Sequence, residues 1–326
     1  MDGKYEDSRH PKEVIFVRNL QEDLLRRDFT INAMAYNEKE GLVDIFGGMD
    51  DLKAGIIRCV GNAQARFSED ALRILRGIRF AAQLGFELED ETREGMRLLA
   101  PTLRKISAER IQVELVKTLT SSRPDLLREA WKLGITKEFL PEFDLAMETT
   151  QETVHHMYTV GEHILHTLLE VRPDRILRLT MLLHDIGKPY MKTMDADGVA
   201  HFKGHPEKSS ELANEILHRL KFDNDTIRKV TKLVRYHDHR MPVTPAHVRR
   251  AVHEIGEDLF PFYLEVRRAD VAAQSMYQHK EKVADIDGVE KLYHEIVERK
   301  ECVSLKMLAV TGKDLIAAGM KPGKEI

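Results

Sequence analysis

The chain has 326 residues and a formal net charge of −4, with 42% hydrophobic and 32% charged residues. This composition is typical of a globular protein of two or three domains, and the small negative charge excludes nucleic-acid binding over the whole surface. No apolar run approaches a membrane span, the polar N-terminus is not a signal peptide, and Cys59 and Cys302 form no ligand motif, so we expect a cytoplasmic protein with buried thiols.

The first 60 residues predict a small sheet. An apolar patch at 14–17 and the segments 33–37 and 42–46 have the short apolar runs of strands. Asn37 and Gly41 bracket a predicted hairpin turn, because both residue types favour turns. From residue 64 the pattern is helical almost throughout. We therefore expect a mainly α-helical fold with a small mixed sheet near its N-terminal end.

Capping residues and breaks divide the helical part. Ser68 has the chemistry of an N-cap, which predicts a helix from there to Gly85. Further amphipathic helices are predicted at 90–99, at 108–120 after Ser107, and at 124–133.

A first polar motif lies at 26–36, where two arginines, an aspartate and an asparagine precede an apolar run. Arg27 has the chemistry to bind a triphosphate, and Asp28 can accept a hydrogen bond from a ribose hydroxyl. Asn32 can do either. The same residues are also common as surface charge at the end of a helix. By itself this motif therefore does not distinguish a nucleotide site from a solvated surface.

A second polar motif lies at 66–80. Asp70, Arg73, Arg76 and Arg79 are spaced three residues apart, which on one helix gives a single polar stripe. A carboxylate accepts from an exocyclic amino group and a guanidinium donates to ring nitrogens and carbonyls, so the pair can read the edge of a base. The alternative is a solvated helix with a local ion pair.

Together with Leu-Val-Asp-Ile-Phe-Gly-Gly at 42–48, the two motifs resemble those of the bacterial-type tRNA nucleotidyltransferases, the CCA-adding enzymes and their poly(A) polymerase relatives. The resemblance covers nearly the whole chain. It implies the remnant of a nucleotidyltransferase palm, then a helical neck and a helical HD domain. It also implies that CTP, ATP and tRNA are the partners and that CMP and AMP are added to the tRNA 3′ end.

The resemblance assigns roles to the polar residues of both motifs. Asp70 and Arg73 are implied to be a protein template that pairs with CTP or ATP. Arg27 and Asp28 are implied to hold the triphosphate and the ribose. The remaining arginines of the stripe, Arg76 and Arg79, are implied to support the site.

The chain also departs from the family pattern. Ahead of the first motif, the family carries a Gly-Gly-x-Val-Arg-Asp segment and an Asp-x-Asp pair that binds Mg²⁺, and neither occurs before Arg26 in this sequence. We therefore expect a chain truncated at its N-terminus, and at its C-terminus as well. Because nucleotidyl transfer needs carboxylates that hold metal at the reacting phosphate, we expect the isolated chain not to add nucleotides.

A third constellation lies further along the chain, where histidines concentrate between 155 and 253. The order of His163, His184-Asp185 and Asp270 is the pattern of an HD-type phosphohydrolase. Neutral imidazole and carboxylate are suitable ligands for Mg²⁺, Mn²⁺, Ni²⁺ or a similar divalent ion. His205 and His237 could hold a second metal.

The alternative for this set is a helical domain that keeps the motif for packing. The other histidines of the region are expected to be surface or structural residues: His155, His156, His166, His201, His218, His239 and His253.

The expected domains are a partial palm at 1–60, the neck with the template helix at 61–145, an HD-type domain at 146–300, and at 301–326 the start of a tail that in the family grips tRNA. Three functions stay open. The first is the larger part of a CCA-adding tRNA nucleotidyltransferase, the second is a divalent-metal phosphohydrolase acting on nucleotide or RNA-terminal phosphoesters, and the third is a non-catalytic RNA- or nucleotide-binding fragment. The oligomeric state, and whether CC, A or CCA is added, are not readable from the sequence.

Overall fold

The computed structural model describes Tyr5–Asp7, His10–Pro11 and residues 19–299, 301 and 312–321. Its N-terminal part combines short strands with short helices. In chain order these are β1 (Tyr5–Asp7), β2 (His10–Pro11), α1 (Leu20–Leu25), β3 (Met34–Asn37), β4 (Gly41–Asp44), α2 (Gly48–Ala54) and β5 (Ile56–Ile57). β3 and β4 form the predicted hairpin, in which Met34 pairs with Asp44 and Asn37 with Gly41. The strand predicted at 14–17 lies outside the described residues.

Helices dominate the next part of the chain. They are α3 (Ala63–Glu69), α4 (Leu72–Leu84), α5 (Asp90–Leu99), α6 (Ala108–Leu119), α7 (Leu127–Lys132) and α8 (Pro141–Glu148), with one strand, β6 (Glu87–Leu88), after α4. β6 pairs in parallel with β5 and so joins this part to the N-terminal part. Gly85 ends α4 as predicted, because its φ of +69° is left-handed and favours glycine.

The remaining elements form a helical bundle with one hairpin. They are α9 (Val160–Glu170), α10 (Arg175–Leu183), α11 (Lys188–Met191), β7 (Thr193–Met194), β8 (Ala200–His201), α12 (His205–Arg219), α13 (Asn224–Tyr236), α14 (Pro245–Ile255), α15 (Phe260–Ala272), α16 (His279–Glu298) and α17 (Gly312–Ala317). The mainly helical fold is thus confirmed. Within the described residues, no helix is both long and apolar enough to cross a membrane.

One large apolar core runs from Phe29 through α3–α10 to Ala269 in α15. α6 packs against both α4 and α10 and therefore lies between the two groups of helices. A second core joins α14, α15 and α16. The predicted domain boundaries at 60, 145 and 300 stay predictions.

The structure tests the predictions made for Ser107 and for the cysteines. Ser107 occupies the N-cap position of α6, but its hydroxyl accepts no hydrogen bond from that helix. Cys59 is buried as predicted, and burial raises the pKa of its thiol to about 12. Cys302 lies outside the described residues.

Candidate functional sites

The prediction that Asp70 shares a helix with the three arginines is wrong. α3 begins after Asn62, whose Oδ1 accepts from the amide of Ala65 at 2.9 Å, and ends at Glu69. Asp70 is extended, with φ −145° and ψ 102°, and its Oδ1 accepts from the amide of Leu72 at 3.0 Å. An aspartate often breaks a helix in this way, because its side chain competes for backbone N–H groups.

The N-cap predicted at Ser68 is wrong for the same reason. Ser68 is an exposed residue inside the last turn of α3. The break that starts α4 is instead made at Asp70. The break turns the Asp70 carboxylate away from the surface of α4 and towards a cleft.

This nucleotide cleft, as we call it, has a volume of about 650 Å³. It is lined by Arg26, Arg27, Asp28, Asn32, Asp70, Leu72, Arg73, Arg76, Phe80 and Arg110. Six of the seven residues predicted to bind nucleotide are among them. Residues from two distant motifs therefore meet in one place, with an excess of cationic side chains.

Asp28 and Arg76 link the first motif to α4. Oδ2 of the buried Asp28 accepts from Arg76 Nε at 2.6 Å and lies 2.5 Å from Arg76 Nη2. Oδ1 accepts from the amide of Phe29 at 2.9 Å and from Asn32 Nδ2 at 3.4 Å. Such charge-assisted pairs fix orientation as well as adding energy. The walls of the cleft are thus held at a defined spacing.

Arg73 and Arg27 use only some of their donors within the protein. Nη1 of Arg73 donates to Glu69 Oε2 at 2.9 Å and Nη2 donates to the carbonyl of Arg26 at 2.8 Å. Arg27 donates to the carbonyl of Asn32 at 3.1 Å, and its side chain is 47% exposed. A guanidinium has five N–H donors, so both side chains keep donors that can face the cleft.

The sequence reading missed Arg110 as a residue of the cleft. It lies in the first turns of α6, and its Nη2 donates to Asp70 Oδ2 at 2.7 Å. Both side chains are half-buried. The sequence showed only a charged helix face at 107–117, and nothing in that local pattern indicates a partner 40 residues upstream.

Arg79 does not line the cleft, which corrects the predicted stripe. It is buried, its Nε donates to Glu114 Oε2 at 2.5 Å, and its guanidinium lies 3.8 Å from the ring centre of Phe80. Arg79 lies six residues after Arg73 on α4, about 120° around the helix axis, and so faces away from the cleft. Arg79 therefore joins α4 to α6, the helix that carries Arg110.

A second cluster brings together all six residues of the predicted metal sites. They come from α9, the end of α10, the start of α12, the end of α13 and α15, and all are buried: His163, His184, Asp185, His205, His237 and Asp270. We call this the histidine cluster. Two triads within it have ligand atoms within 4.8 Å of one another, one formed by His163, His184 and Asp185 and the other by Asp185, His205 and His237.

The imidazoles of the cluster have a common orientation. Nδ1 lies 2.7 Å from the Met181 carbonyl in His184, 2.7 Å from the Val234 carbonyl in His237, and 2.8 Å from the Phe202 carbonyl in His205. Nδ1 of His163 lies 3.3 Å from the carbonyl of Ala273. A carbonyl accepts, so Nδ1 of His184, His205 and His237 carries a proton and Nε2 of each is directed to the centre; Nε2 of His163 donates to Asp270 Oδ1 at 3.0 Å.

Asp185 lies between the two pairs of rings. Its Oδ2 is 3.5 and 3.4 Å from Nε2 of His163 and His184, and its Oδ1 is 3.3 and 3.4 Å from Nε2 of His205 and His237. Among the described residues, none donates a hydrogen bond of good geometry to either buried oxygen. Leaving buried carboxylate oxygens unsatisfied costs free energy, and although Lys188 offsets this at Oδ2, Oδ1 faces only imidazole nitrogens, which suits a divalent cation.

Lys188, three residues after Asp185, was not predicted to belong to the site. It is buried, with Nζ 2.7 Å from Asp185 Oδ2 and donating to Gln151 Oε1 at 3.0 Å. Burial would raise the pKa of Asp185, but the charges of Lys188 and His184 hold it well below its usual range. Asp270 is likewise held below its usual pKa against the effect of burial, by its hydrogen bond with His163 at 3.0 Å.

A cavity of about 450 Å³ opens above the histidine cluster. Asp185, His205, His237 and Asp270 form its floor, and Lys188, Lys203 and Arg240 lie in its walls. Three of the histidines expected to be surface or structural, His155, His156 and His201, also line it. This arrangement of buried ligands under a basic rim suits an anionic substrate.

Family comparisons agree with one another along the chain. Residues 1–58 match the poly(A) polymerase head domain, and residues 85–147 match the RNA- and SrmB-binding site of polymerase A. Residues 201–326 match tRNA nucleotidyltransferase domain 2.

Curated relatives cover most or all of the chain. It is 38% identical to the A-adding tRNA nucleotidyltransferase of Deinococcus radiodurans over 77% of this chain and 60% of that one. It is 34% identical to the CCA-adding enzyme of Leuconostoc mesenteroides over 76% of this chain and 64% of that one. For the CCA-adding enzyme of Levilactobacillus brevis, the identity is 32% over 100% of this chain and 70% of that one. The chain thus spans less than two thirds of the length of the first two relatives.

Solved structures show the same fold. The CCA-adding enzyme of Bacillus stearothermophilus in complex with CTP has a TM-score of 0.65 at 24% identity, covering 94% of this chain and 67% of that one. The Thermotoga maritima CCA-adding enzyme complexed with tRNA has a TM-score of 0.54 at 22% identity, covering 94% and 66%.

Proposed function

Because the chain belongs to the family of bacterial tRNA nucleotidyltransferases and poly(A) polymerases, we propose that its nucleotide cleft selects CTP and ATP for addition to the 3′ end of tRNA. The observation that carries this proposal is the meeting of Asp28, Asp70, Arg73 and Arg76 in one cleft of about 650 Å³. Asp28 belongs to the first motif, Asp70 to the break between α3 and α4, and Arg73 and Arg76 to α4, so local helix charge does not explain their convergence.

The chemistry of the bases accounts for the choice. Cytosine and adenine each present an exocyclic amino donor beside an acceptor ring nitrogen, whereas uracil and guanine present a carbonyl beside a ring N–H. A carboxylate that accepts and a guanidinium that donates satisfy the first pattern and oppose the second. Each oxygen of Asp70 accepts one hydrogen bond, from Leu72 or from Arg110, and keeps a further lone pair for the amino group.

The remaining cationic residues of the cleft suit the rest of the nucleotide. Arg27 is the exposed guanidinium at the rim, and its free donors match the bidentate geometry of phosphate oxygens. Asp28 and Asn32 lie beside Arg27 and contact each other. The Asp28 carboxylate can still accept from a ribose hydroxyl, and the Asn32 amide can still donate to one or accept from it.

The test is nucleotide binding by the chain itself, without turnover. Wild type should bind CTP and ATP more tightly than UTP and GTP, and Asp70→Ala should remove this difference, because the residue that accepts from the amino group is gone. Asp90→Ala changes an exposed aspartate of α5 and serves as the control. An Asp70→Ala chain that keeps the preference for CTP and ATP would overturn the proposal.

A second function is favoured by the histidine cluster. We propose that it holds two divalent metal ions, one by His163, His184, Asp185 and Asp270 and the other by Asp185, His205 and His237, and that the site hydrolyses phosphoesters. The buried carboxylate of Asp185 and the Nε2 atoms that converge on it fit this donor set. Its four imidazoles favour Mn²⁺ or Ni²⁺ over Mg²⁺.

When bound, such ions would lower the pKa of an attacking water and neutralise charge on the phosphate. The chain's own residues do the rest. The backbone carbonyls of Met181, Phe202 and Val234 orient three of the imidazoles, and Lys188 adds a positive charge beside Asp185 in the cavity wall.

Titration calorimetry with Mn²⁺ tests this function first at the level of binding. The wild-type chain should bind Mn²⁺ and hydrolyse bis(p-nitrophenyl) phosphate, and His184→Ala should lose both, because one imidazole ligand is missing. His253→Ala changes an exposed histidine of α14 and should retain both. A wild-type chain that binds no Mn²⁺ would contradict the proposal.

A further inference from the structure

The hairpin β7–β8 carries a polar pair at the edge of the cavity above the histidine cluster. His201, the last residue of β8, lines this cavity together with Asp185, His205 and His237. Its Nε2 lies 2.7 Å from Oδ2 of Asp195, in the turn of the hairpin. A histidine oriented by a carboxylate is a common arrangement for proton transfer in hydrolytic sites.

Asp195 is fixed by the turn that it occupies. Its Oδ1 accepts from the backbone amides of Asp197 at 3.0 Å and Val199 at 2.9 Å. The hydrogen bond with His201 and those with the turn lower the pKa of Asp195, so the carboxylate stays ionised. Asp195 can therefore hold the imidazole of His201 in one orientation without changing its own charge.

The hairpin is also attached to the opposite wall of the cavity. The amide of Ala200, which is buried, donates to the carbonyl of Glu152 at 2.9 Å. Glu152 begins the loop that carries His155 and His156, both of which line the cavity. The position of His201 over the cavity is therefore built into the fold.

The second ring nitrogen of His201 is available for chemistry. Within residues 19–299, Nδ1 of His201 makes no hydrogen bond, whereas the ring's Nε2 is engaged by Asp195. The side chain is 54% exposed, so the ring can exchange protons with water. The cluster histidines differ in both respects, since they are buried and use Nδ1 to bind a carbonyl.

We propose that His201, oriented by Asp195, is the general acid of the hydrolytic site; this inference rests on the phosphoester hydrolysis proposed above. As the oxygen of water bonds to phosphorus, the ester P–O bond breaks and its electron pair goes to the leaving oxygen. That oxygen takes the Nδ1 proton of the His201 imidazolium, so the alcohol departs neutral and the ring becomes a neutral imidazole that keeps its Nε2–H on Asp195. The proton lost by the attacking water passes to solvent, from which His201 regains its own.

Leaving groups of different basicity test this role. A p-nitrophenolate leaves without a proton, whereas the ribose oxygen of 2′,3′-cyclic CMP needs one. In the Mn²⁺-loaded chain, His201→Ala should lower kcat/KM for cyclic CMP by about 10²-fold or more and leave bis(p-nitrophenyl) phosphate hydrolysis nearly unchanged. Asp195→Asn should show the same selective loss to a smaller degree, because it removes only the orientation of the ring.

Metal binding provides the readout that is independent of activity. Calorimetry should give the same Mn²⁺ affinity and stoichiometry for wild type, His201→Ala and the control His218→Ala, which changes an exposed histidine of α12. Equal losses for the two substrates, or unchanged hydrolysis of cyclic CMP, would overturn the general acid. A wild-type chain that binds Mn²⁺ and hydrolyses neither substrate would overturn the hydrolase proposal itself.

Discussion

At the scale of single residues, the sequence identified most of the nucleotide cleft but not its geometry. Asp70 and Arg73 were predicted from spacing and family resemblance, and both line the cleft. Spacing placed Asp70 on a helix that the structure ends one residue before it. Arg110 could not be predicted, because its role depends on the packing of α6 against α4, which no local pattern reports. A charge pattern in the sequence shows where charged residues lie around a helix. The residue that each of them contacts is decided by tertiary structure.

Arg110→Ala should weaken the binding of CTP and the binding of ATP to about the same extent, so that the preference between the two does not change. Arg110 holds Oδ2 of Asp70 at 2.7 Å and reads no base by itself, so its loss frees the carboxylate while leaving its chemistry in place. Fluorescence titration with the four nucleoside triphosphates measures both affinity and preference. Arg104→Ala, which removes an exposed arginine paired with Glu138, is the matched control. Unchanged affinity in Arg110→Ala would show that Asp70 needs no such support.

At the scale of elements, the prediction was most accurate where a helix has its own start and stop signals. The bounds of α5 match the prediction at 90–99, and Gly85 ends α4 as expected. The prediction was wrong at the break between α3 and α4. Ser68 and Asp70 both have the chemistry of a helix cap there, and packing decides that Asp70 makes the break. α4 is then fixed to α6 by the buried pair of Arg79 and Glu114.

Glu114→Ala should lower the free energy of unfolding by about 3–5 kcal/mol, because it leaves the Arg79 guanidinium buried without its partner. Urea denaturation followed by circular dichroism measures this. The double change of Arg79→Met with Glu114→Leu should recover most of the loss, since no charge remains buried.

Glu94→Ala breaks a pair between exposed side chains of α5 and provides the comparison, with little expected change. If Glu114→Ala were no more destabilising than Glu94→Ala, the pair would not be what holds α4 against α6.

At the scale of the whole molecule, the two candidate sites share one core. The nucleotide cleft lies between the segment 26–32, Asp70 and helices α4 and α6, and the histidine cluster lies on α9, α10, α12, α13 and α15, with α6 and α10 in contact. The sequence predicted both constellations, since the order of ligand-type residues is readable along a chain. The precise convergence of six buried ligands from five helices is a property of packing alone.

The metal-free chain should lose stability as the pH falls below about 6.5, in part through His156. Burial, and then the charge of Lys188, lowers the pKa of this histidine from 6.5 to about 2. The unfolded chain therefore binds a proton in this range that the folded chain does not, and folding becomes less favourable as pH falls. Between pH 7.5 and 5.0 one such group costs about 2 kcal/mol.

His156→Gln removes this titration and should reduce the difference in unfolding free energy between pH 7.5 and 5.0, measured with chelator present. His237, whose pKa is also lowered by burial, and His184, whose pKa is raised by Asp185 against the effect of burial, remain as the background in both chains. An unchanged difference would mean that His156 is protonated in the folded state.

The central claim is that Asp70 reads the amino group of the incoming base. The most direct measurement compares CTP with the 2-pyrimidinone ribonucleoside triphosphate, which lacks that amino group, on wild type and on Asp70→Ala. The account predicts about tenfold weaker binding of the analogue to wild type and no difference on the variant, because the hydrogen bond that the analogue loses is the one that the variant lacks. An equal loss of affinity for the analogue on both chains would contradict it.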